Sequence, residues 1–118
     1  MEELENEALR DFDRVLKAAI GETVSVLLGQ GVLAALHQYL GSHHSISSDA
    51  LPAHLQTLRE TLQRAIGFTA ATTVERAIAR TLYSKLNIRF KSSSNLTLQE
   101  YVDEAKRDLA ARQFRSKS

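Results

Sequence analysis

Cysteine is absent from this chain, and with it go disulfides, thiolate nucleophiles and cysteine-held metals. A large excess of charge is missing too. The formal net charge is +1, too small to make the whole surface a nucleic-acid binder. The opening residues MEELENEALRDFD are acidic, with neither the basic start nor the apolar run of a secretory signal, so the expected location is the cytoplasm. Thr23 to Gly41 contains no Asp, Glu, Lys or Arg, but Ser25, Gln30, His37, Gln38 and three glycines make it a poor membrane span and a better buried hairpin. No catalytic constellation is present. The GQG at 29–31 lacks the further glycine and lysine of a phosphate-binding loop. The serine-rich loop at 41–50 offers serine, histidine and aspartate without a nucleophile elbow.

What is present is helical periodicity. At 118 residues, 43% hydrophobic and 25% charged, the chain fits one soluble domain that buries roughly two-thirds of its unfolded surface. The spacing predicts an all-α bundle of about five helices over residues 1–112, with a frayed basic tail at 113–118. Ala71, Val74, Ile78, Leu82 and Leu86 share one face of a fourth helix, taken as central, with Thr69 as its N-cap and Asn87 as a left-handed C-terminal cap.

A first helix runs from about Glu3 to Leu28, where Leu4, Ala8, Phe12, Val15, Ala19, Thr23 and Leu27 recur at threes and fours. Gly21 inside it marks a bend or a close crossing. Gly29 and Gly31 end that helix and start a second over Val32–Leu40, with Val32, Leu33, Leu36 and Leu40 inward. A loop follows with Ile46 as its apolar plug, then a third helix with Ser48 or Asp49 as cap, Pro52 in its first turn, and Leu55, Leu58, Leu62, Ala65 and Ile66 inside. Leu28-Gly29 and Ile66-Gly67 echo each other loosely. Residues 88–90 read as briefly extended and 91–95 as a solvated loop. Thr97-Leu98-Gln99-Glu100 is a capping box opening a fifth helix, with Leu96 and Tyr101 placed as a staple and Leu98, Tyr101, Val102, Ala105 and Leu109 inward.

Four histidines, His37, His43, His44 and His54, lack the spacing of a metal site and read as exposed or capping residues. Glu75, with Arg76 next to it and Arg80 one turn beyond that arginine, reads as an ion pair or hydrogen bond at the core margin. Neither a cofactor nor a small-molecule substrate is indicated. Two binding surfaces are. The stripe Phe12, Leu16, Ala19 and Leu27 is longer than a small globule needs and predicts a homodimer interface. Lys85, Arg89 and Lys91 beside Tyr83 and Phe90 form a basic patch that suits phosphate or nucleic acid, as does the tail with Arg112, Arg115 and Lys117. Residues 1–13 carry six acids and one arginine, complementary to that basic end within the bundle or across a dimer.

The run IGFTAATTVERAIARTLYSKLNIRF, the following LTLQEYVDEAKRDL and the upstream LLGQGVLAALHQYL resemble a small all-helical archaeal (Nitrosopumilus-type) output-domain family over roughly residues 24–109. The shared features fall on Gly67, Glu75, Leu82, Tyr83 and Tyr101. The resemblance implies a non-catalytic signalling or regulatory output domain that works through protein–protein interaction. A nucleic-acid-binding regulator is the alternative.

Overall fold

A computed structural model describes the backbone of residues 2–91 and 96–116 and the side chains of 11–91 and 96–112. Its elements are α1 (Glu2–Leu28), α2 (Gln30–His44), a 3-10 turn (Ser48–Ala53), α3 (Leu55–Ile66), α4 (Phe68–Lys85) and α5 (Leu98–Ser116). The fold is all-α, with no strand among the described residues. Helix α4 touches α1, α3 and α5, which makes it the hub; α2 packs on α1, and the 3-10 turn packs on α1 and α3. One contiguous core joins α1, α4 and α5 through residues such as Leu16, Ile20, Val24, Ile78, Leu82 and Tyr101. Ile46, the predicted plug, is buried in it.

Two helical hairpins, α1–α2 and α3–α4, each turn on one glycine. Gly29 has φ 97° and ψ 157°, and Gly67 has φ 89° and ψ 165°. This region of backbone space is essentially open to glycine alone, because a side chain would collide with its own backbone. The hydrogen bonding repeats as well. Gly29 N–H donates to the Ser25 carbonyl at 3.0 Å, and its own carbonyl accepts from Leu33 N–H at 3.2 Å. Gly67 N–H donates to the Gln63 carbonyl at 2.9 Å, and its carbonyl accepts from Ala71 N–H at 3.0 Å. One residue thus ends one helix and begins the next with no connecting loop.

The predicted ends are partly corrected. Gly67, not Thr69, precedes α4, and Thr72 and Thr73 turn their hydroxyls back on the Phe68 and Thr69 carbonyls at 2.9 and 3.1 Å. Helix α2 extends well beyond Val32–Leu40, closing on Ser45 in a left-handed conformation. Pro52 lies in the 3-10 turn, since α3 begins only at Leu55; the turn is capped by Ser47, whose Oγ accepts from Ala50 N–H at 3.3 Å. Asp49 instead pairs with Lys17 of α1. At the end of α4, Asn87 is left-handed with φ 60°, Asn87 N–H donates to Ser84 and Ile88 N–H to Tyr83, the paired bonds of a Schellman cap.

The capping box of α5 forms as read. Thr97 N–H donates to Glu100 Oε1 at 3.0 Å, and Glu100 N–H donates to Thr97 Oγ1 at 3.2 Å. Residues 92–95 of the predicted loop lie outside the described residues. So do 117–118 of the predicted frayed tail, and α5 itself continues as helix past Arg112 to Ser116.

Candidate functional site

Helices α2 and α3 each pack on their own hairpin partner, and between them runs an open groove of about 300 Å³. The α2 wall is Val32, Ala35, Leu36 and Tyr39, an i, i+3, i+4, i+7 stripe, and the α3 wall is Thr61, Leu62, Ala65 and Ile66. Leu28 adds to the lining from the end of α1, and Arg64 is the one charged residue in it. Leu36 and Leu62 are buried, whereas Val32 is 44% exposed. Val32, which the sequence places in the core, is therefore surface. The reason is geometric: among the described residues the substantial packing of α2 is on α1, so only the Leu36–Leu40 side of its apolar surface is covered.

Further apolar residues are exposed outside the groove lining. Val26 is 82% exposed, Leu27 50% and Phe68 64%, and Leu27 and Phe68 are near neighbours in sequence of the lining residues Leu28 and Ile66. Scattered exposed apolar residues are ordinary, but a concave apolar groove marks an interaction surface. Charge is nearly absent here. Residues 23–48 contain no Asp, Glu, Lys or Arg, and between 61 and 74 the only one is Arg64, which has no ion pair among the described residues.

The predicted dimer stripe is not a surface. Phe12, Leu16 and Ala19 are buried in the chain's own core, 3% exposed or less, and only Leu27 of the four reaches solvent. The stripe is long because α1 packs on α4, on α2 and on the 3-10 turn, so its width serves several internal contacts. Lys106 of α5 lies over the Phe12 ring at 5.3 Å, so α5 meets α1 within one molecule.

The basic patch is also divided. Lys85 Nζ is bonded to Glu22 Oε1 of α1 at 2.8 Å. Arg89 and Lys91 share a small pocket with Glu104 and Asp108, so the field there is mixed. The aromatics are engaged as well: Tyr83 is buried, its hydroxyl donating to the Tyr101 carbonyl at 2.7 Å, and Phe90 packs edge-on to Tyr83 at 5.4 Å with Arg80 over its ring at 5.7 Å. Burial pushes the Tyr83 phenol up to about 12, helped by the nearby charges of Glu104 and Asp108.

Glu75 sits inside the core at 6% exposure, not at its margin, and its nearest cation is Arg59 of α3, with Nε 3.9 Å from Oε2. Burial raises its pKa, and the Arg59 guanidinium opposes that only in part. Arg59 Nε is buried without a hydrogen bond among the described residues. A lone buried carboxylate with no second acid stabilises no general acid–base pair. His43 stacks on Tyr39 with ring centres 4.3 Å apart, His44 tilts against the same ring, and no three His, Asp or Glu side chains among the described residues converge on one point. No helix among them is long and apolar enough to cross a membrane.

The groove was legible only as an excess. A fifteen-residue helix with no Asp, Glu, Lys or Arg carries more apolar surface than one helical neighbour can cover. No protein-family model, curated protein or solved structure matches the chain.

Proposed function

We propose that this protein is a non-catalytic regulatory module that works by docking another protein in the α2/α3 groove. The observation that carries the reading is the groove itself, concave and apolar, with Val32 exposed in its wall and a single charge in its lining. The resemblance to the archaeal output-domain family points the same way, toward signalling through protein contacts. A homodimer through Phe12, Leu16 and Ala19 would have to open the core. The nucleic-acid alternative is disfavoured by the Lys85–Glu22 pair and by the acids beside Arg89 and Lys91.

The test is affinity capture from an extract of the native host, with wild-type chain compared with Val32→Asp and Phe68→Asp. Both residues lie in the first turn of a helix, where a carboxylate suits the helix dipole and the fold is retained. One protein held by wild type and lost from both variants is the expected result. Capture that ignores both substitutions, or that yields nucleic acid instead, defeats the reading.

A further inference from the structure

We infer that the occupant of the groove is an α-helix of a partner protein, presenting an apolar stripe flanked by a carboxylate that meets Arg64. This rests on the groove being the docking face. Shape gives the first half of the argument. Val32 to Tyr39 spans about 10 Å of helix, roughly two turns, and its i, i+3, i+4, i+7 spacing is the periodicity a packed helix reads with its own anchors. Ala35 and Ala65, one on each wall, are exposed and keep the groove shallow enough for a rod-shaped partner.

A small molecule fits less well. The volume is at the low end for ligand sites, and no buried polar group points a ligand's orientation: Arg64 is exposed, and the Thr61 hydroxyl already donates to the Thr57 carbonyl at 2.8 Å. A lipid surface is flat where this site is concave, and one arginine offers it little attraction.

Charge gives the second half. Arg64 is the one charged residue in the lining and makes no ion pair among the described residues, although Glu60 stands one turn before it on α3. A partner acid gains an ion pair there and meets no repulsion. A partner lysine or arginine finds a like charge and no acid in the lining, so the groove discriminates by sign.

The experiment titrates the full chain into two fluorescently labelled synthetic helices with the same leucine stripe, one flanked by glutamate and the other by glutamine, read by anisotropy. The glutamate helix is expected to bind about two- to five-fold tighter at low salt, as an exposed ion pair allows. That advantage shrinks as salt is added, vanishes in Arg64→Gln and reverses in Arg64→Glu. Val32→Asp and Ala35→Asp, each checked for helicity by circular dichroism, weaken both helices. Equal affinity for the two helices, still lost in Val32→Asp and Ala35→Asp, overturns the acid requirement and leaves the docking reading standing. No binding of either helix, or binding indifferent to Val32 and Ala35, overturns both. Val32-dependent sedimentation with phosphatidylglycerol vesicles in the absence of helix binding replaces the partner helix with a membrane and overturns the inference.

Discussion

Gly29 and Gly67 are equivalent: each carries a positive φ with an extended ψ, and each joins two helices as the only residue between them. Space is not what demands glycine, since a Cβ at either position would meet nothing within 4 Å. The demand is torsional. Gly29→Ala and Gly67→Ala should each destabilise the chain by about 1–3 kcal/mol. Gly31→Ala, inside α2 with the same open surroundings, should stabilise it by about 0.5–1 kcal/mol. Urea unfolding of the three variants checks the contrast; equal effects at 29 and 31 would mean that the Gly29 backbone relaxes out of its region.

The burial of Glu75, offset only in part by Arg59, sets a pH dependence of stability. Burial raises the Glu75 pKa in the folded state above the ordinary 4.5, so the native state holds its proton more tightly than the unfolded chain does. Stability from this group is therefore greatest below the unfolded value and falls as pH rises through the folded one. Glu75→Gln should raise the melting temperature at neutral pH, and the gain should fade in acid where wild-type Glu75 is protonated. A drop in melting temperature at neutral pH would show instead that the Arg59 pairing outweighs desolvation.

Tyr83 makes the opposite end of the pH range sensitive. Its phenol ionises near 10 when unfolded and near 12 when folded, so stability declines as pH rises between those values. Tyr83→Phe should flatten that decline while costing about 1 kcal/mol at neutral pH, the worth of one hydrogen bond to the Tyr101 carbonyl. Denaturant midpoints at neutral and alkaline pH, with and without the substitution, measure both.

How far the sequence speaks follows from the range of each interaction. The capping box at Thr97 and Glu100 and the left-handed Asn87 could be read directly, because each involves residues within one turn. The buried faces of α4 and α5 were legible from periodicity. The partner of Glu75 was not, because Arg59 reaches it only after Gly67 folds α3 back along α4. Nor was the fate of Phe12, Leu16 and Ala19: a stripe that covers three internal neighbours and one that seeks a second molecule look identical in one dimension. The groove escaped for the complementary reason, since periodicity shows which face of α2 is apolar but not which half of it goes uncovered.

That α2 leans on α1 and α3 on α4 has a mechanical consequence. The two walls of the groove belong to different hairpins, so a rod laid between them acts as a splint across both. Amide hydrogens of α2 and α3 should slow their exchange together when the groove is filled, although each helix packs mainly on its own hairpin partner. The site would then report its occupancy through the rigidity of the whole charge-free end, a signal that a further protein could sense without touching the groove.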